Sequence, residues 1–169
     1  AKLLRKHADA VGLKSNFSII DQDDQVRLIK NICKAENVDI KKISPKFILA
    51  IIDKWKNKGF YPQDVILKRK DPLEKNFLSI YKIYQEKLVN LNSADFSDLI
   101  LHTLKIFEKY TDIAELYSKK FKYILVDEYQ DTNFIQSEWL RHLSGHNKNI
   151  CCVGDDDQSI YSWRGAEIK

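Results

Sequence analysis

The sequence predicts a mainly α-helical chain that ends in a small parallel α/β portion. Three observations carry this. Between Asp21 and Lys119, apolar residues recur at intervals of three and four, with Gly and Pro punctuating the periodic stretches. From Phe121 the pattern changes: F-K-Y-I-L-V-D-E-Y-Q-D-T-N and N-I-C-C-V-G-D-D-D-Q-S-I-Y-S-W-R-G-A each contain an apolar run that stops at carboxylates, which reads as a buried strand. Between the two runs, Phe134 to Leu143 has helical spacing and stops at Gly145. Strand, helix and strand then fit into about thirty residues, the size of a βαβ unit.

The elements follow in order. The opening A-K-L-L-R-K-H-A-D-A-V-G reads as the last turns of a helix stopped by Gly12, and its uncapped start suggests a chain cut from a longer one. A helix is expected from about Asp23 to Asn37, with Asp21 to Asp24 at its positive end and Val26, Ile29, Ile32 and Cys33 on its apolar face. Ser44-Pro45 starts the next, because serine caps and proline suits the first helical position. Its buried stripe is Phe47, Ile48, Ile51, Ile52 and Trp55; Lys54, Lys56 and Lys58 lie around the rest, and Gly59 ends it. Tyr61-Pro62 opens a short helix towards Leu67.

Asp71-Pro72-Leu73-Glu74 has the form of a capping box. Behind it Leu73, Phe77, Ile80, Tyr81, Tyr84, Leu88 and Leu91 step by threes and fours, one wide apolar face on a helix of about twenty residues. Asn92 to Asp95 is a turn. Asp95-Phe96-Ser97-Asp98-Leu99-Ile100 opens a further helix through Phe107, on which His102 reads as a face residue, and Thr111 to Lys119 forms the last helix before the strands.

At 169 residues and 44% hydrophobic content, the chain is long enough for a real core. No apolar run approaches a membrane span, and the opening residues do not read as a signal peptide. Three cysteines do not make a disulfide framework; Cys33, Cys151 and Cys152 read as reduced, buried thiols of a cytoplasmic protein. His142 and His146 lack a matching ligand cluster, so a metal role for the pair is disfavoured. Charge is uneven: residues 1–119 hold 22 Lys+Arg against 16 Asp+Glu, and residues 120–169 hold 6 against 8. Lys41 to Lys70 carries nine basic residues and two acids, which reads either as a phosphate-contacting face, with Lys54, Lys56 and Lys58 within it, or as a solvated surface.

The chemistry concentrates at the strand ends. Ligands of βαβ units sit beyond the carboxyl ends of the strands. Asp127 and Glu128 stand at one such end; Asp155, Asp156, Asp157 and Gln158 stand at the other. Gathered carboxylates repel unless a cation joins them, and Mg²⁺, held by one or two carboxylates plus phosphates, suits them. Asp127 then reads as the magnesium anchor and Glu128 as the general base that activates a water for attack on phosphorus. Gln158, neutral with both a donor and an acceptor, can touch a γ-phosphate. The alternative is a solvated loop after a strand.

V-D-E-Y-Q-D-T-N and V-G-D-D-D-Q-S-I-Y-S-W-R-G-A strongly resemble the Walker B and third motifs of superfamily 1 DNA helicases of the UvrD/PcrA/Rep type, in the family's order and spacing. The resemblance implies that Asp127 holds Mg²⁺, that Glu128 activates water in ATP hydrolysis, and that Gln158 couples the γ-phosphate to a DNA-facing loop. Tyr161, Trp163 and Arg164 would meet single-stranded DNA, with Trp163 stacking on a base; on residue type alone, Trp163 could equally be core. Asp95-Phe96-x-Asp98-Leu99 resembles the element where the family's helical subdomain rejoins its ATPase core.

The implied fold is a partial P-loop NTPase (RecA-like) core carrying a helical insertion subdomain. Residues 1–12 would end a core helix, 13–92 would form the DNA-contacting insertion, and 93–169 would form part of the core. The implied function is ATP-dependent 3′-to-5′ movement on single-stranded DNA with duplex unwinding in repair or replication, with ATP and Mg²⁺ as cofactors and repair proteins as partners. None of the five glycines precedes Lys-Ser or Lys-Thr, so these residues include no phosphate cradle, and the isolated chain is expected to be inactive as an ATPase. Two rivals remain: a metal-dependent nuclease, and a non-enzymatic helical module that docks DNA or protein.

Overall fold

The computed structural model describes residues 1–40, 42–67, 72–155 and 157. Two compact units divide the chain, the first holding residues 1–56 and 60–99, the second residues 57–59 and 100–169.

In the first unit, α1 (Lys2–Lys6) runs into a 3-10 turn at Ala8–Val11, and Gly12 stops it in the left-handed region at φ 77°. The Arg5 guanidinium stacks 4.5 Å from the centroid of buried Phe17 and donates to the carbonyls of Ser15 and Phe17. Helix α2 (Gln22–Ala35) starts where the Asp21 carboxylate accepts from the Asp24 N–H at 2.9 Å, and α3 (Pro45–Asn57) starts where Ser44 Oγ accepts from the Phe47 N–H. The long aromatic stripe becomes α4 (Pro72–Asn90). These three helices build the core: Ile29, Ile32 and Cys33 meet Ile48, Leu49 and Ile52, with Phe77, Ile80, Tyr81, Tyr84 and Leu88. Trp55 stacks on Tyr81 at 5.8 Å, and the Tyr81 hydroxyl donates to the Phe60 carbonyl.

Several expectations are corrected here. Phe47 is 55% exposed, so the stripe of α3 turns one position and buries Leu49 instead. Leu73 is 49% and Leu91 64% exposed, so the buried part of this apolar face runs from Phe77 to Leu88. The short helix after Tyr61 shrinks to a 3-10 turn at Pro62–Asp64. The capping box begins on Asp71, which lies outside the described residues. The turn after α4 hides a two-residue strand: β1 (Ser18–Ile19) pairs in parallel with β2 (Ser93–Ala94).

Helix α5 (Phe96–Lys109) follows, and the division between the units falls inside it. In the second unit, α6 (Thr111–Lys120) precedes β3 (Ile124–Val126), a 3-10 turn at Tyr129–Asp131, α7 (Phe134–Ser144) and β4 (Ile150–Cys152). Asn133 and Gln136 cap α7 reciprocally. Phe107 packs against Tyr117 and against His142, which makes His142 a packing residue.

The strands β3 and β4 pair in parallel, as the motif spacing requires, but they are not buried. Leu125 is 76% exposed, and Cys151 and Cys152 are exposed, which corrects the reading of those thiols as buried; Cys33 is buried as expected. The physical reason is how little covers these faces. Apolar runs of this kind suit a parallel sheet covered on both faces, and here the sheet has two strands among the described residues.

Candidate functional site

The register sets Ile124 opposite Ile150, Leu125 opposite Cys151 and Val126 opposite Cys152. The pairing continues past the strands, because the Val153 N–H donates to the Val126 carbonyl at 2.8 Å and the Tyr129 N–H to the Val153 carbonyl at 3.0 Å. Asp127–Glu128 and Gly154–Asp155 therefore leave the sheet at one rim, beyond its carboxyl end.

The backbone turns sharply there. Glu128 sits in the left-handed region at φ 53° and ψ 42°, a conformation that costs a non-glycine residue on the order of 1 kcal/mol and that collects at functional sites. Asp127 Oδ1 accepts from the Glu128 N–H at 2.9 Å and helps hold the turn. Both acidic side chains are exposed. Two residues on, Gln130 is 5% exposed; its Nε2 donates to Glu128 Oε2 at 2.5 Å, and its Oε1 accepts from the Asp155 N–H at 3.0 Å. The Asp157 N–H donates to Asp155 Oδ1. Gln130 stands inside the motif the sequence singled out, yet it carried no role there. The contact forms across the left-handed turn at Glu128, which the sequence does not announce.

Of the residues assigned from sequence, Asp127, Glu128 and Asp155 meet at this rim. Asp156, Gln158, Tyr161, Trp163 and Arg164 lie outside the described residues. Lys54 and Lys58 are exposed. Lys56 is a correction: it is 0% exposed, with Nζ donating to Asp95 Oδ2 at 2.6 Å and Asp98 Oδ1 at 2.7 Å. A lysine enclosed this way cannot reach a phosphate backbone.

The Lys56 cluster is a closed polar network. Asp95 and Asp98 cap the start of α5 reciprocally, each carboxylate accepting the other's N–H. The Tyr84 hydroxyl donates to Asp95 Oδ2 and Gln85 Nε2 to Asp98 Oδ1. Burial works against the ammonium of Lys56, but Asp95 and Asp98 outweigh it and hold its pKa above the ordinary value. Burial, and then Asp98, push the Asp95 carboxyl up. Nearby Asp53, which accepts from Ser97 Oγ, is raised to about 6, by burial first and then by the Asp95 charge. The sequence marked Asp95 and Asp98 only by resemblance; their separation of three, capping-box spacing, was the available signal.

Comparison with known proteins places the chain in a family. The UvrD/REP helicase N-terminal domain family matches residues 1–169. A DNA helicase II of Rickettsia typhi is 45% identical over 172 residues, covering 99% of this chain and 26% of the relative. ATP-dependent DNA helicases PcrA of Staphylococcus epidermidis and Staphylococcus aureus are each 42% identical over 168 residues, covering 99% of this chain and 23% of the relative. The chain thus spans about a quarter of the length of these relatives.

Proposed function

The chain belongs to the UvrD/REP helicase N-terminal domain family, and from that premise we propose that it supplies the metal-anchoring acid, the general base and part of the DNA track of an ATP-driven 3′-to-5′ DNA helicase acting in repair or replication. The observation that carries the reading is the shared rim. Parallel pairing of β3 and β4 brings the two acidic motifs together at the carboxyl end of the sheet, where a nucleotide's phosphates belong.

Asp127 is the residue that would hold Mg²⁺. Its carboxylate is exposed, Oδ1 is engaged by the Glu128 N–H, and Oδ2 has no hydrogen bond among the described residues, which suits a hard ion shared with waters and phosphates. When bound, the ion supplies charge neutralisation at the phosphate oxygens. Glu128 orients the attacking water and takes its proton on Oε1, since Oε2 is held by Gln130. Gln158 senses the γ-phosphate, and Tyr161, Trp163 and Arg164 meet single-stranded DNA. Lys54 and Lys58 serve as phosphate contacts; Lys56 is withdrawn from that set. The chain by itself, with no Gly-rich cradle in its 169 residues, turns over no ATP.

The test is Glu128→Gln in the complete polypeptide that contains these residues. Loss of a general base costs about 10²- to 10⁴-fold in rate, so DNA-stimulated ATP turnover falls by that much while single-stranded DNA binding is kept. Turnover within threefold of the parent would refute the assignment.

A further inference from the structure

We propose that Gln130 is a positioning residue that ties the base Glu128 to the loop after β4, so that the two strand ends act as one hydrogen-bonded unit. The inference rests on the reading of Glu128 as the base. Its geometry is independent of that reading.

The Gln130 amide is buried and uses both ends. An ionised carboxylate can only accept, so Glu128 Oε2 requires the NH₂ group at 2.5 Å. A backbone N–H can only donate, so the Asp155 N–H requires the carbonyl oxygen at 3.0 Å. The two partners together leave one orientation of the amide. A glutamate in this place would keep an acceptor for Asp155 but turn a like charge onto Glu128. A leucine would satisfy neither partner.

Gly154 is matched to this bridge. A Cβ built there would lie 2.5 Å from Gln130 Oε1, and 3.2 Å from the backbone nitrogens of Gln130 and Tyr129. Any side chain at 154 therefore drives the Gln130 amide out of its place. The glycine of the second motif is needed for space, because its backbone is not in the left-handed region. A shift of Asp155 pulls on Gln130 Oε1, and the same rigid amide carries it to Glu128. Whatever moves the loop after β4 is felt at the proton-accepting carboxylate.

The experiment uses the complete polypeptide, with Gln130→Glu, Gln130→Leu, Gly154→Ala and Glu128→Gln assayed for DNA-stimulated ATP hydrolysis. Misplacing a catalytic group by about 1 Å costs about 100-fold. Gln130→Glu and Gln130→Leu are therefore expected to lower kcat by about that factor, with KM for ATP within twofold. Hydrogen exchange across residues 151–157 should quicken in Gln130→Leu and Gly154→Ala, and stay near the parent in Gln130→Glu, which keeps the acceptor. Gln130→Glu is nearly isosteric, so it reports even if the leucine variant folds poorly. If Glu128→Gln abolishes turnover while folded Gln130→Glu keeps kcat, the positioning role is overturned and the base assignment stands. Should Glu128→Gln keep turnover, the base assignment falls and the inference falls with it. A raised KM with unchanged kcat would also overturn it.

Discussion

The two units use the same side chains to opposite ends. In the first, Asp95 and Asp98 are buried, capped into α5 and paired with Lys56. In the second, Asp127 and Glu128 are exposed at a strand end with no lysine or arginine paired to them among the described residues. The enclosed carboxylates share one cation and find their partners inside the protein. The exposed carboxylates face solvent, with Asp127 engaged by the Glu128 N–H and Glu128 by the neutral Gln130 amide. Residue type does not separate the two cases; burial and partners do.

The sharpest way to break this contrast is Lys56→Met. Removing one partner of a buried pair leaves uncompensated charge and costs about 3–5 kcal/mol. Two carboxylates are stranded here, so the upper end of that range is expected, read as a shift in the denaturation midpoint at unchanged slope. If Lys56→Met unfolds like the parent and instead weakens DNA binding, the cluster is a surface site after all. The single variant separates the two readings because they move different observables.

A second test follows from Asp53. Its carboxyl is raised from 3.8 to about 6 in the folded chain, first by burial and next by Asp95. A folded pKa above the unfolded one means that the folded state binds more protons between those values. Stability from this group is therefore greatest below about pH 4 and is lost as pH rises through about 6, by on the order of 1–3 kcal/mol. Asp95 is raised as well and acts in the same direction. Denaturation followed from pH 4 to pH 7 should show that decline, and Asp53→Asn should flatten it. A stability that rises steadily over the same window in the parent would mean the carboxylates are better matched by Lys56 than the packing implies.

Much of the architecture is legible in the sequence. Apolar periodicity placed α2, α3, α4, α5 and α7 to within a few residues, because each helix buries one stripe and the caps are side-chain chemistry. The parallel pairing of β3 and β4 was legible from strand, helix and strand lengths. What was hidden depends on distance in sequence or on backbone handedness. Lys56 looked like its neighbours Lys54 and Lys58, and only partners 39 and 42 residues away turn it inward. The strip β1–β2 joins residues 75 apart through two-residue strands with no periodicity to detect. Gln130 meets Glu128 across a left-handed turn that the Glu128 side chain does not advertise.

The smallest expected effect sharpens the contrast from the exposed side. Lys54 and Lys58 flank buried Lys56 in sequence and share its charge, but both are exposed. Surface charges away from packed features change stability by about 0.5 kcal/mol or less, so Lys54→Ala and Lys58→Ala should melt with the parent. If they contact phosphates, each replacement weakens DNA binding similarly across sequences and lowers the salt slope by about 1. The measurement is affinity for one duplex and one single strand at several salt concentrations. An unchanged slope in the double variant would leave the basic stretch as a solvated surface.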